Sequence, residues 1–360
     1  MIEQMLVDLE ELVLRESFSG DLPAVRHSAE AVAAQGARLL GARPEVIDGI
    51  HLRWSFGTPR VLLVGHHDTV WPVGTLARIP WSVTDGIVRG PGVFDMKAGL
   101  VQLFHALTLL PELDGVSVLI TGDEEIGSSS SRALIEDSAR GCAAALVLEA
   151  SAGGGGALKT ARKGTSWYEV KVHGKAAHAG LEPEKGVNAA IEAAHQILAL
   201  AGLAELAGGG GTTVTPTLVR AGTTGNTVPD EAQVSVDVRV PTIAAQERVD
   251  ELVRGLTVRQ PGARLEVLGG PNRPPLEASA SRELFDLARK VAADLGMEPL
   301  SGVAVGGASD GNLTAAVGCP TLDGLGAVGG GAHADDEHVI AAEMPVRARL
   351  LAGLITELTH

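Results

Sequence analysis

Apolar residues recur at i, i+3 and i+4 over residues 3–16 and 22–40, and that spacing predicts two amphipathic helices at the start of the chain. Ser19-Gly20-Asp21 between them is turn chemistry, with Asp21 placed to cap the second helix and Pro23 tolerated in its first turn. Short apolar runs at 44–48, 51–56 and 61–65 predict strands. Asp-Gly and Gly-Pro-Gly turns follow near 85 and 90, and 97–110 returns to helical spacing. Three more strand-like runs lead into polar segments: 116–121 before Gly-Asp-Glu-Glu, 144–148 before Glu149, and 320–325 before a glycine-rich loop. Strands that alternate with helices and end in polar residues describe an α/β domain, an open mixed sheet flanked by helices, with a site along the carboxyl edge.

The run Ser151-Ala-Gly-Gly-Gly-Gly-Ala157 reads as a loop, and the pattern changes beyond it. Residues 167–172 alternate as a half-exposed strand and 186–202 form an alanine-rich helix. Strands at 212–220 and 232–240 follow, then a helix at 242–256 and a strand at 264–268. That order is βαββαβ, the ferredoxin-like α+β arrangement. Pro271, Pro274 and Pro275 mark a return linker, and 280–295 resumes helical spacing. The expected organisation is a catalytic domain of residues 1–163 and 271–360, interrupted by an inserted lid of residues 164–270.

The chain has 360 residues, beyond the size at which one core normally stops growing, which agrees with two domains. With 45% hydrophobic residues but only five Phe, four Trp and one Tyr, the core must be built from Ala, Val and Leu. A net charge of −15 repels phosphate and argues against a nucleic-acid partner, although a few local arginines still permit an acidic small substrate. The N-terminus carries acids at helical spacing with no basic region, so no signal peptide is expected. No run of about 18 apolar residues predicts a membrane span. Cys142 and Cys319 are the only cysteines and are expected as free buried thiols. These features together suggest a cytoplasmic protein.

The stretch Val61-Leu-Leu-Val-Gly-His-His-Asp-Thr-Val70 concentrates the chemistry. Side chains alternate along a strand, so His66 and Asp68 share a face and His67 turns away. Such a pair suits a metal site, the carboxylate either binding a second ion or orienting the ring; a merely polar strand end is the other reading. Four further places offer ligands of the same kind: Asp95, the Glu124-Glu125 pair, Glu149 and His333. Each alone could be a helix cap or a solvated loop residue. Together, two imidazoles and several carboxylates suit two Zn²⁺ ions, with Co²⁺ or Mn²⁺ as substitutes.

On these segments the chain resembles the M20 metallopeptidases, near the glutamate carboxypeptidase and N-acyl-amino-acid amidohydrolase branch. The matching pieces are His66-His-Asp68-Thr-Val70, Gly90-Pro-Gly-Val-Phe-Asp95-Met-Lys97-Ala-Gly99, Thr121-Gly-Asp-Glu-Glu125-Ile-Gly127, Gly174-Lys-Ala-Ala-His178-Ala-Gly180, Gly225-Asn-Thr-Val-Pro229 and His333. The resemblance implies one zinc on His66 and Glu149, the other on Glu125 and His333, and Asp95 bridging them. It also implies a cis peptide bond after Asp95 and a lid histidine, His178, that stabilises the oxyanion from a neighbouring subunit in a homodimer. Two ions would lower the pKa of a shared water to about 7. Glu124 is the expected general base and acid, and Asp68 the group that steers His66.

The same resemblance suggests Asn226 and Arg239 for a substrate's free α-carboxylate, with Arg273 as a second contact and the turn at Gly307 offering backbone N–H groups. An arginine fork suits that anion, although Arg239 could instead pair with Asp237 or Asp230. His67, His105, His173 and His195 are expected to be structural, and Asp335, Asp336, Glu337 and His338 a solvated turn. The lack of an aromatic residue just before His333 leaves the pocket wall, and hence specificity, open. The leading expectation is hydrolysis of an amide beside a free carboxylate, in a small peptide or N-acyl amino acid, releasing a residue such as glutamate. A deacylase of N-acyl amino acids is the alternative, and an inactive binding homologue a third.

Overall fold

The computed structural model describes residues 1–359, which fall into two compact units. Among them the first unit comprises residues 1–161, 276–305 and 309–359, and the second residues 162–275 with 306–308.

The first unit is an α/β structure around a six-stranded mixed sheet. Its order is Glu45–Ile47, His51–Ser55, Val116–Thr121, Val61–His66, Ala144–Val147, Thr321–Leu322. The 61–66 strand lies parallel to both 116–121 and 144–147, and all three are buried throughout. Such strands read as continuous apolar runs because helices cover both faces. Since they are parallel, the loops after His66, Thr121 and Val147 emerge at the same edge of the sheet. The helix Ala98–Leu107 is buried at all ten positions, and Phe104 meets Trp54 edge-on with ring centroids 5.5 Å apart. The core around them is otherwise mostly Leu, Val, Ala and Ile, as the scarcity of aromatics requires.

A second, antiparallel sheet in this unit runs Gly329–Gly330, His338–Ile340, Ile87–Arg89, Ser82–Thr84. It sets the turn containing His333 beside the chain that leads from Arg89 into Asp95. Against expectation, only Thr321–Leu322 of the 320–325 run is strand; Asp323 beyond it instead accepts from Ser309 Oγ at 2.6 Å. Cys142 and Cys319 are free and buried. Among the described residues no helix is long and apolar enough to cross a membrane.

The second unit holds a four-stranded antiparallel sheet in the order Thr213–Ala221, Glu231–Val240, Gly164–His173, Arg264–Arg273. Helices Ala189–Ala201 and Ile243–Arg254 contribute to its core with Val170, Val172, Val234, Val236 and Val238. Alternate residues face the other way, among them Trp167, Asp237 and Arg239. The last strand runs on to Arg273 rather than ending at 268. Pro271 is thus inside a strand, not a linker; it sits on an edge strand, where a residue without an N–H is tolerated. The units accordingly divide at 161/162 and 275/276, a few residues outside the expected 164–270.

Candidate metal centre

Within the first unit, seven of the expected residues meet at the carboxyl edge of the sheet: His66, Asp68, Asp95, Glu124, Glu125, Glu149 and His333. Register explains the convergence. His66 pairs with Thr121 and Val64 with Val147, so the histidine, the Glu-Glu turn and Glu149 all lie just past one line across three strands.

Asp95 stands between the two imidazoles. Its Oδ1 is 3.4 Å from His66 Nε2 and its Oδ2 is 3.4 Å from His333 Nε2. Glu149 Oε1 lies 3.3 Å from His66 Nε2, and Glu125 Oε1 3.3 Å from His333 Nε2. The arrangement has two halves, each with one ring, one private carboxylate and one oxygen of Asp95. The peptide bond from Asp95 to Met96 is cis. His333 has φ of +63°, a left-handed conformation uncommon for a residue with a Cβ and more frequent where a site demands it.

The donor set fits divalent cations. His66 Nε2 and Asp95 Oδ1 are buried and make no hydrogen bond, which is costly unless another partner satisfies them. Ligands at about 2.0–2.2 Å from a tetrahedral centre lie roughly 3.3–3.6 Å from one another, which is the spacing seen in both halves. The electrostatics agree. Burial alone would lower the pKa of His66, but Asp68, Asp95 and Glu149 together raise it well above the ordinary value. Asp95 and Glu125 raise His333 to about 10. Burial and the negative charge of Glu149 push the pKa of Asp95 up, yet the two rings outweigh them and hold it at about 2. Burial raises Glu125. The field that draws protons to the rings draws a cation to the same place.

Asp68 is fully buried, and its role is wider than ring orientation. The nearest acceptor for His66 Nδ1 is the main-chain carbonyl of Asp68, at 3.0 Å, whereas its carboxylate Oδ1 is at 3.5 Å. The carboxylate instead accepts from the backbone N–H groups of Glu124 and Glu125, both at 3.2 Å, and from Ser19 Oγ at 2.7 Å. Asp68 therefore anchors the 3-10 turn Glu124–Ile126. Glu124 is buried with a carboxylate oxygen within 4.8 Å of ligand atoms of His66 and Glu149, while Glu125 groups with His66 and Asp95.

Of the four histidines expected to be structural, three have partners within the fold. His67 Nε2 lies 2.8 Å from Ile50 O and its Nδ1 3.2 Å from Ser28 Oγ. His105 Nε2 is 2.7 Å from Asp8 Oδ2, His173 Nε2 is 3.2 Å from Glu266, and His195 is exposed. The expectation of a solvated turn fails at Glu337, which is 0% exposed. Its carboxylate accepts from Gly92, Phe94 and Asp95 N–H and from Trp71 Nε1.

The remaining expected residues belong to the second unit. His178 ends the short strand Ala177–His178, which pairs with Thr227–Val228, and its Nδ1 accepts from Gly180 N–H. Asn226 is adjacent, its carbonyl accepting from Ala179 N–H. Arg239 forms a two-pronged pair with Asp237, at 2.9 and 3.0 Å, so the foreseen pairing on the sheet surface is the arrangement present. Arg273 is buried, its carbonyl accepting from Gln246. Gly307 presents its carbonyl to Arg162 at 3.1 Å.

The model of peptidase family M20/M25/M40 matches residues 62–357. Carboxypeptidase G2 of Pseudomonas sp. (strain RS-16) is 32% identical over 318 residues, covering 84% of this chain and 74% of that protein. Succinyl-diaminopimelate desuccinylase of Thioalkalivibrio sulfidiphilus is 27% identical and covers 97% of both. Among solved structures, aminopeptidase PepT of Bacillus cereus superposes with a TM-score of 0.77 at 23% identity, covering 100% of this chain and 99% of that one. An M20 metallo-carboxypeptidase of Sulfolobus solfataricus gives 0.77 at 17% identity, covering 98% and 99%.

Proposed function

We propose, for a chain that belongs to peptidase family M20/M25/M40 and is a hydrolytic enzyme, that it cleaves an amide bond beside a free carboxylate with two divalent ions. The leaving group in this reading is a C-terminal amino acid such as glutamate. The observation that carries it is Asp95 standing with one oxygen toward each of two His–carboxylate pairs.

His66, Glu149 and one oxygen of Asp95 would hold one ion; His333, Glu125 and the other oxygen would hold its neighbour. Zinc suits this donor set, with Co²⁺ or Mn²⁺ as substitutes. Bound there, the ions would polarise the scissile carbonyl and make water acidic enough to react near neutrality. Glu124 takes the proton from the attacking water and returns it to the departing amine. Asp68 keeps Glu124 in reach by holding the N–H groups of the turn that presents it. In the second unit, the strand order and the two helices support a ferredoxin-like lid, and a homodimer through that lid is part of the proposal. His178 then supplies oxyanion stabilisation across the dimer. Asn226 and Arg239 grip the substrate's carboxylate, Arg239 exchanging Asp237 for it. Arg273 and the backbone N–H groups of the turn at Gly307 support that subsite. The cytoplasm is the compartment proposed.

The similarity to a desuccinylase along nearly the whole chain favours one second reading, deacylation of an N-acyl amino acid at the same centre. A panel of C-terminal-glutamate peptides and N-acyl amino acids, assayed with added Zn²⁺, separates the two. Glu124→Gln should keep its metal content and lose turnover by about 10²–10⁴-fold. Turnover within tenfold of wild type would remove Glu124 from the role.

A further inference from the structure

We propose that Glu337 is a positioning residue that fixes Asp95 in the orientation from which it reaches both halves of the centre. The inference rests on the two-metal reading above. Both carboxylate oxygens are fully committed. Oε2 accepts from Trp71 Nε1 at 2.7 Å and Gly92 N–H at 2.9 Å, and Oε1 from Phe94 N–H at 2.9 Å and Asp95 N–H at 3.1 Å. Three of the four donors are backbone groups of the segment 92–95, which has no regular ladder there to satisfy them. One buried anion takes the place of that ladder.

The connections span the site. Glu337 lies four residues after His333, in the turn that closes through Ala334 N–H to Gly331 O and Glu337 N–H to Ala334 O, both at 2.9 Å. Trp71 lies three residues after Asp68 and five after His66. A single carboxylate thus ties together the chain after the first histidine, the segment ending in Asp95, and the turn carrying the last histidine. Gly331 has φ of +76° and room for no Cβ, which would stand 2.8 Å from the backbone of Glu337. That close approach keeps the turn against the carboxylate.

A charged acceptor serving four donors has no neutral substitute of the same shape. In Glu337→Gln one oxygen becomes an amide nitrogen, which faces at least one backbone N–H donor to donor. The segment 92–95 must then shift, and Asp95 with it. Loss of a group that orients metal ligands typically costs 10–100-fold in affinity.

The test is titration of the metal-depleted full-length chain with Zn²⁺ against a chromophoric chelator, and with Co²⁺ followed by its visible absorption. Urea unfolding of the metal-depleted proteins is measured alongside. The wild type should bind two ions. Glu337→Gln should bind them 10–100-fold more weakly and give an altered Co²⁺ spectrum, Glu337→Asp should recover part of the loss, and Trp71→Phe, which removes one donor and leaves the carboxylate, should show a smaller loss. A role in folding alone would lower the urea midpoint and leave affinity and spectrum unchanged, which would overturn the inference. If Glu337→Gln does not fold, Trp71→Phe decides: unchanged affinity overturns the proposal and weakened affinity upholds it. A wild type that binds no ion would instead overturn the two-metal reading, and this inference with it.

Discussion

Replacing Asp68 with asparagine tests the link between fold and chemistry most directly, because the change conserves shape and removes only the carboxylate's charge and one of its two acceptor oxygens. The carboxylate has three hydrogen-bond donors on two oxygens: Glu124 N–H on Oδ1, and Glu125 N–H with Ser19 Oγ on Oδ2. An asparagine must put its NH₂ at one of these positions. At Oδ1 it opposes the N–H of Glu124. At Oδ2 it opposes the N–H of Glu125, while the Ser19 hydroxyl can rotate to accept. Either orientation leaves one buried backbone N–H unpaired, at about 1–3 kcal/mol. The surviving bonds lose their charged acceptor, which removes roughly another 1 kcal/mol. The expected destabilisation is therefore about 2–4 kcal/mol, seen as a lower urea midpoint at unchanged slope. Relief of the donor clash displaces the turn that carries Glu124, and a misplacement of about 1 Å can cost 10²-fold in rate, equivalent to about 2.7 kcal/mol of barrier. Ser19→Ala is the control: it removes one donor without leaving a backbone N–H orphaned, so it lowers the midpoint while kcat stays near wild type. An Asp68→Asn protein with an unchanged midpoint, or with a lower midpoint and wild-type kcat, would refute the reasoning.

The two halves of the centre should be separable by elemental analysis: Glu149→Ala and Glu125→Ala each retain one ion per chain, and Asp95→Ala retains neither. Equal losses in all three variants would contradict a shared Asp95. Gly99→Ala should destabilise by more than the usual 1–3 kcal/mol or so of overpacking, because its Cβ would stand 2.2 Å from the carbonyl oxygen of Leu148, a backbone atom; a wild-type thermal midpoint would show that the helix can move away. Burial, and then the neighbouring Cys142, push the Cys319 thiol up to about 12, and burial also raises Cys142. Labelling by a thiol reagent at pH 8 should therefore be negligible for folded protein and prompt in denaturant. Since the folded thiol ionises later than the unfolded one, stability should fall as pH rises above 9, the ordinary thiol value, toward 12.

What the sequence discloses about this site depends on how local each interaction is. The strands 61–66 and 116–121 announce themselves because an apolar run buried on both faces has one reading, and the ligand chemistry follows where each run stops. Asp68 is half legible. Alternation places it beside His66, but no pattern of side chains shows that the ring is held mainly by a main-chain carbonyl while the carboxylate supports a turn 56 residues away. Glu337 is not legible from local pattern at all. It sits among acids in a segment that looks solvated, and its four donors lie 242 to 266 residues earlier in the chain. Asp310 belongs to the same class: buried, and accepting from Thr121 and Ser128 at the two ends of the Glu124–Glu125 loop. The helices Arg132–Ala139, Asp310–Ala316 and Glu343–Thr359 also lie outside the elements drawn from periodicity. The first two are too short for a clear period, whereas the last carries Leu350, Leu351, Leu354 and Ile355 at helical spacing that a closer count would find. The legible ligands and the illegible supports are consequences of one constraint. A cluster of carboxylates gathered at a sheet edge repels itself, so the loops that carry it are held in place by further acids, Asp68, Asp310 and Glu337, that take donors from elsewhere in the chain. Apart from the Trp71 indole, the donors to Asp68, Asp310 and Glu337 are backbone and hydroxyl groups that carry no sequence signature, and Glu337 looks, in sequence, like surface.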